Sequence, residues 1–341
     1  MPYINYGGNM NRINIAIVGA TGMVGNKFLE VIEEHNLPVD NCYLFASGKS
    51  AGKVVKFFGK DNVVLELTPK NVLALEGKID YALFSAGGAV SKEYAPLFVK
   101  IGAIVVDNSS YWRMHDDVPL VVPEVNPDDA FFNHGIIANP NCSTIQAVVA
   151  LKPLYDKYGI TRIVYSTYQA VSGAGVLGVE DLKTETKEPK KFAHPIAYNV
   201  LPHIDVFEED GYTKEEHKMI DETRKILHDD TLRITATTVR VPVYYGHSES
   251  INVEFKRDCT LDGVRDALGN FKGLVLQDDV KHAIYPLPIY AEERDEVFVG
   301  RVRIDDSVKS GVNLWVVADN IRKGAATNAV QIVELLLYGK N

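Results

Sequence analysis

The sequence predicts an α/β fold of two parts, a doubly wound parallel sheet followed by an α+β domain with a mostly antiparallel sheet. Three observations carry that expectation. A glycine turn near the start joins a β-branched strand to an amphipathic helix. Runs that are apolar throughout then alternate with helical stretches as far as Ser109, the pattern of strands covered on both faces. From about residue 160 the strands alternate polar with apolar residues, the pattern of a sheet with one covered face. The 341 residues, 46% of them hydrophobic, suffice for two cores of ordinary size.

The elements follow in order. "RINIAIVGATGMVGNKFLEVIEEH" (12–35) reads as strand, turn and helix. "CYLFAS" (42–47), "DYALFSA" (80–86) and "AIVVDNS" (103–109) are further strands, and "SKEYAPLFVKIG" before the last of them is helical. In the second half "TRIVYSTYQAV", "LRITATTVRVPV", "SINVEFKRD", "EVFVGRVRID" and "NLWVVADN" are rich in Val, Ile, Thr and Tyr. "TKEEHKMIDETRKILHDD" (213–230) is a charged helix with Thr213 as N-cap and Glu216 three residues on, a capping box. "KTETKEPKK" (183–191) reads as a solvated connector. "NIRKGAATNAVQIVELLLYG" closes the chain as a helix apolar enough to need a packing partner.

Composition excludes several classes. A net charge of −9 argues against a general nucleic-acid binder. No apolar run approaches the roughly 18 residues of a membrane span. "MPYINYGGNMNR" lacks a signal-peptide pattern and reads as a short extension. Cys42, Cys142 and Cys259 form no paired motif, and an odd number of thiols suits a reducing compartment. The expectation is a cytoplasmic protein with no metal site.

"VGATGMVG" places Gly19, Gly22 and Gly25 between strand and helix, the spacing of a Rossmann-like dinucleotide site. The first glycine allows the turn, the second admits a diphosphate, and the third lets helix meet strand. Thr21, Met23 and Val24 belong to the same turn, whose helix amides face the phosphates. After the second strand comes "FASGKSAGK", with Ser47, Lys49 and Ser50 and no acid. A carboxylate there would select the ribose hydroxyl of NAD, whereas these groups attract a 2′-phosphate. NADP is the expected cofactor.

"ANPNCSTIQAVVALKPL" (138–154) sets Cys142 at the mouth of an apolar helix. Helix-end amides lower a thiol pKa from about 8.5, so a thiolate nucleophile is one reading and a small buried residue the other. In a dinucleotide-binding protein, such a thiol suggests a thioester that accepts hydride. On their own segments Gln169 reads as a strand amide and His247 as a turn residue, while Arg240 reads as either an anion site or half of an ion pair and Arg113 as either a site residue or a loop arginine. Glu215 and Lys218, three apart on one helix face, read as a surface salt bridge.

A resemblance narrows these readings. "GATGMVG", "ASGKSAGK", "VDNSSYWRM", "VPEVN", "ANPNCSTIQ", "YQAVSGAG", "TTVRVPV", "GHSES" and "DNIRKGAATNAVQI" resemble, in order, the aspartate-semialdehyde dehydrogenases. The match covers nearly the whole chain from residue 13. "NPNCSTIQ" and "GHSES" separate it from acetylglutamyl-phosphate reductases and glyceraldehyde-phosphate dehydrogenases. The resemblance implies NADPH-dependent reductive dephosphorylation of L-aspartyl 4-phosphate to the semialdehyde, on the route to lysine, methionine, threonine and diaminopimelate.

It makes Cys142 the acyl-thioester nucleophile, Gln169 the group orienting the acyl intermediate and His247 the acid–base group. Asn141 is a candidate helper for the oxyanion. Arg240 would take the substrate carboxylate with its planar fork, Glu215 the ammonium, and Lys218 with Arg113 the phosphate, Glu216 competing with Glu215 for its role. Ser172, Gly173 and Asn320 would lie near the cofactor. The implied division is 1–141 with 320–341 for NADP, and 142–319 for catalysis and dimerisation, in a homodimer or homotetramer. The rivals are a related acyl-phosphate reductase and a non-catalytic dinucleotide sensor.

Overall fold

Strand β1 (Ile13–Val18) is buried along almost its whole length, and it occupies the middle of a sheet whose two faces are both covered. The coordinates are a computed structural model describing residues 12–340; the expected N-terminal extension lies outside them except for Arg12. Helix α1 (Met23–Glu34) follows, then β2 (Val39–Ala46), the hairpin of β3 (Val54–Phe57) and β4 (Lys60–Val63), the short β5 (Leu65–Glu66) and α2 (Pro69–Leu73). Next come β6 (Tyr81–Phe84), α3 (Gly88–Lys100), β7 (Ile104–Asp107) and β8 (Ile136–Ala138). Among the described residues six of these strands form one parallel sheet in the order β5-β2-β1-β6-β7-β8. The strand order reverses beside β1, and a crevice opens there outside the strand ends. On one face Phe98 of α3 meets Phe45 and Phe84 edge-on, with ring centroids 5.5 and 5.2 Å apart. Each such buried ring contributes about 1.5–3 kcal/mol.

The second half begins with α4 (Cys142–Tyr158) and β9 (Ile160–Gln169). Helices α5 (Val176–Lys183) and α6 (Lys214–Leu227) precede β10 (Arg233–Arg240), β11 (His247–Phe255), α7 (Leu261–Gly269) and β12 (Leu274–Leu276). Then come α8 (Pro288–Ala291), β13 (Val297–Ile304) and β14 (Gly311–Ala318). The strand order is β10-β9-β11-β14-β13-β12. The three central pairings are antiparallel, but β10 with β9 and β12 with β13 are parallel. The sheet is therefore mixed, because both edges are reached by crossovers that carry helices rather than by hairpins. Helices α4, α6 and α7 cover one face, burying Val148, Leu151, Met219 and Val264 with Ile163, Ile251 and Leu314.

The closing segment is not one regular helix. Arg322–Ala326 forms a π-helical turn before α9 (Thr327–Tyr338). Ala329, Val330 and Val333 of α9 pack with Ile15, Ile17 and Phe28, on the other face of the first sheet. Among the described residues no helix is long and apolar enough to cross a membrane, and no cluster of His, Cys, Asp and Glu is arranged to hold a metal.

Candidate active site

Asn141 caps α4 in extended conformation, its side-chain oxygen accepting from the Ser143 and Thr144 amides at 3.0 and 3.3 Å. The next residue, Cys142, is therefore the first helical residue. It is partly exposed and lies on the wall of a cavity of about 620 Å³. The cavity runs from the glycine turn, at Gly22, Met23 and Val24, past Ser172, Gly173 and Asn320 to a group of charged side chains. That group comprises Arg113, Glu215, Lys218 and Arg240, with Asn141 and Gln169 beside it.

The glycine turn has the geometry a diphosphate cradle needs. Gly19 has φ +89°, in the left-handed region. A β-carbon on Gly25 would come within 2.1 Å of the Gly19 carbonyl oxygen, so only glycine lets α1 meet β1 here. Across the cavity Asn320, just after β14, is held in place: its Nδ2 donates to Ser172 Oγ at 3.0 Å and its Oδ1 accepts from the Gly246 amide at 3.0 Å. Thr21 donates to Ser50 at 3.3 Å, while Ser47 and Lys49 are exposed at the outer end of the turn. Sequence reasoning missed Glu66. It ends β5 beside Ala46 of β2 and stands against Gly48, so a carboxylate reaches this loop from a neighbouring strand.

Glu215 organises the substrate end. Its Oε1 accepts from Asn141 Nδ2 at 2.9 Å and from Gln169 Nε2 at 3.1 Å, and its Oε2 from Lys218 at 3.2 Å. Burial pushes this carboxyl up, but Lys218, the two amides and Arg240 outweigh it and hold it below the usual range. It stays ionised. Glu216 is excluded from the site: it caps α6 with Thr213 and accepts from the Thr238 amide at 3.0 Å. Lys218 also binds Asp205 at 2.6 Å.

The arginines differ. Arg113 is held at 2.9 Å by Glu222 and donates to the carbonyls of Asn139 and Asn108. Arg240 is buried with one protein acceptor, the Ala170 carbonyl at 2.7 Å, and its Nε has none. A buried guanidinium needs an anion, and the Arg240 side chain lines the cavity.

His247 begins β11 rather than lying in a turn, because Gly246, with φ +83°, makes the bend before it. Its Nδ1 accepts from the Ala170 amide at 3.0 Å, which fixes the proton on Nε2. Nε2 itself has no partner and lies behind Gly173, where a β-carbon would approach it to 3.2 Å. Burial, then Arg240, lowers its pKa well below the usual histidine value. The imidazole is neutral.

The expected low-pKa thiol is not found. Burial first and Glu215 second push Cys142 up to about 12, against Arg240, Arg113 and the Ser143 amide. The helix start is real, but one turn of amides is outweighed by a low-dielectric site with a carboxylate in it. The connector 183–191 also differs from expectation. Buried Asp181 accepts from the amides of Lys190, Lys191 and Phe192 at 2.9, 2.8 and 3.3 Å, and Lys191 lines the cavity.

Comparison with known proteins accounts for this arrangement. The family profile "Semialdehyde dehydrogenase, NAD binding domain" matches residues 14–131, and "Semialdehyde dehydrogenase, dimerisation domain" matches 151–323. A curated protein of Aquifex aeolicus (strain VF5), "Aspartate-semialdehyde dehydrogenase", is 59% identical over 95% of this chain and 97% of its own. The chain belongs to the aspartate-semialdehyde dehydrogenase family. A solved family member, "aspartate semialdehyde dehydrogenase II complexed with ASA from vibrio cholerae", superposes with TM-score 0.92 at 48% identity, over 96% of this chain and 98% of that one. Another aspartate-semialdehyde dehydrogenase, "with NADP from Candida albicans", gives 0.75 at 27% identity over 96% and 98%. The chain thus has the family's NAD-binding and dimerisation domains, and it forms oligomers through the latter.

Proposed function

We propose that this chain catalyses reductive dephosphorylation of L-aspartyl 4-phosphate to L-aspartate 4-semialdehyde and phosphate, through a thioester on Cys142. The observation that carries the reading is one cavity holding a helix-start thiol and charges of both signs matched to an amino acid, with a neutral imidazole buried behind Gly173 of its wall. The Arg240 fork takes the α-carboxylate, Glu215 the α-ammonium, and Lys218 with Arg113 the phosphoryl group.

The thiol is protonated at rest, so attack on the β-carbonyl is coupled to proton loss. The thiol proton passes to an oxygen of the departing phosphate as the S–C bond forms. His247, its Nδ1 taken by the Ala170 amide, offers a donor Nε2–H and not the base that the family resemblance implies. With the Ser143 and Thr144 amides taken by the Asn141 cap, the Cys142 amide and the second Asn141 Nδ2 proton stabilise the oxyanion. The C–O bond to phosphate breaks and phosphate leaves towards Lys218 and Arg113. Gln169, tied to Glu215, holds the acyl group. Reduction of the thioester uses the hydride that the nicotinamide supplies when bound. The sulfur then regains a proton from water as the C–S bond breaks.

The glycine cradle and the Ser172–Asn320 wall fit a nicotinamide dinucleotide. We assign NADP rather than NAD on Ser47, Lys49, Ser50 and Thr21, against which the Glu66 carboxylate acts from outside the loop. The chain is read as 1–141 with 320–341 for the cofactor and 142–319 for substrate and self-association, in a cytoplasmic homodimer or homotetramer. Support for that division comes from α9, which packs on the first sheet although it is last in the chain.

The test is phosphate-dependent oxidation of aspartate semialdehyde, with NADP and NAD side by side and N-acetylglutamate semialdehyde as the rival substrate. Turnover of the acetylated compound alone, or none with either, removes the proposal.

A further inference from the structure

Glu249 is fully buried on the central strand β11, and neither carboxyl oxygen has a hydrogen-bond partner. An unpaired carboxylate in such a place would cost several kcal/mol. Burial pushes this carboxyl well above the usual range. It is a neutral acid with an O–H to donate, and a buried donor calls for an acceptor.

Strand alternation puts Glu249 on the same face as His247 and Ile251, and Ile251 belongs to the core beneath α4. Its cross-strand neighbour is Thr167, whose hydroxyl is committed to Gln169 at 3.0 Å. Facing this layer from α4 is Gln146, one turn after Cys142 and on the same helix face. Gln146 Nε2 donates to the His247 carbonyl at 3.3 Å, and its Oε1 has no partner. An orphan donor and an orphan acceptor thus share one buried layer, within two residues of His247.

We propose that Glu249 is a positioning residue for the reaction: its carboxylic acid donates to Gln146 Oε1, and Gln146 in turn donates to the His247 carbonyl. This bracket ties the strand that carries the imidazole to the helix that carries the thiol. Its effect on turnover rests on the thioester reading above; the hydrogen bond itself does not.

The experiment uses the full-length enzyme with Glu249→Gln, Glu249→Leu, Gln146→Leu and the double leucine variant. Infrared difference spectra at neutral pH should show a protonated-carboxyl carbonyl band in the wild type that Glu249→Gln lacks. Glu249→Leu should lower kcat roughly 10- to 100-fold, the scale on which small misplacements are felt, with little change in KM for the dinucleotide. It should also displace the pH profile of Cys142 alkylation by iodoacetamide. Gln146→Leu should do the same, with the double variant no worse than either single one. Glutamine, an uncharged donor, should restore what leucine loses. Absence of the carbonyl band overturns the proposal even where Glu249→Leu fails to fold. So do additive effects in the double variant, or unchanged turnover and alkylation in Glu249→Leu. Loss of all activity towards aspartate semialdehyde in the wild type would instead remove the functional reading, leaving the band and the alkylation profile to decide the bracket.

Discussion

Gly324 lies against Cys142: a β-carbon added to it would stand 2.9 Å from Cys142 Cβ, closer than two carbons pack. The π-helical turn Arg322–Ala326 brings the backbone of the last segment onto the start of α4, and a turn of this kind often marks a functional site. Gly324→Ala should therefore displace the thiol. Overpacking of this sort costs about 1–3 kcal/mol, so a modest drop in Tm is expected together with a large drop in kcat. Full kcat in a folded Gly324→Ala enzyme would show that the contact does not position the sulfur.

The state of the thiol can be read from alkylation. With Cys142 pushed up to about 12, the sulfur is protonated at neutral pH, and its thiolate fraction rises with every step in pH. Iodoacetamide inactivation of the free enzyme should climb through pH 9 without a plateau. Glu215→Gln removes the charge that, after burial, raises the thiol most. It should speed alkylation at fixed pH while raising KM for the semialdehyde. A plateau below pH 8 in the wild type would contradict this account.

Cys142→Ala should abolish phosphate-dependent semialdehyde oxidation and leave the Kd for NADPH nearly unchanged, since the glycine cradle does not involve the sulfur. Equilibrium fluorescence titration of the nucleotide checks the second half.

Arg240 predicts a loss confined to substrate. Arg240→Glu places like charge against the substrate carboxylate and removes one of the two cations near Glu215, so KM for aspartate semialdehyde should rise steeply. Truncating one partner of a buried charge pair typically costs about 2–5 kcal/mol. An unchanged KM would take Arg240 out of the substrate site.

Stability should depend on His35, which sits between Glu334 at 3.0 Å and Asp295 at 3.2 Å, joining α1 and α9 to the segment before β13. Burial lowers its pKa, but hydrogen bonds to Asp295 and Glu334 and their charges raise it further, to about 9. Its contribution is whole below the unfolded value near 6.5 and fades as pH rises to about 9. His35→Ala should lower Tm by about 2–4 °C near pH 6, and the difference should shrink as pH passes 9. A Tm gap that widens with pH would reverse the assigned sign.

Much of this molecule is legible in one dimension because its signals are local. Gly19, Gly22 and Gly25 answer to steric rules acting over a few bonds, and apolar runs with the right period declare which face is buried. The capping box at Thr213 and Glu216 is a four-residue device, and it was readable as such. Cys142 could be placed at a helix entrance from "NPNC" alone. The roles of Gln169, His247 and Arg240 could not, since each is ordinary in its own segment and came only with the family resemblance.

What tertiary structure decided is whatever depends on dielectric and on distant neighbours. The two parallel edges of the second sheet arise from crossovers long in sequence. Glu66 reaches the Ser47–Ser50 turn only because β5 pairs with β2, and Lys191 reaches the cavity only because Asp181 gathers the amides beside it. The thiol is the plainest case. Local sequence alone predicts a lowered pKa from helix-end amides, but burial together with a carboxylate 73 positions away in the chain reverses the sign. Covalent neighbours set conformation; ionisation answers to every charge and every excluded water within a few ångströms, and those are assembled only when the chain folds.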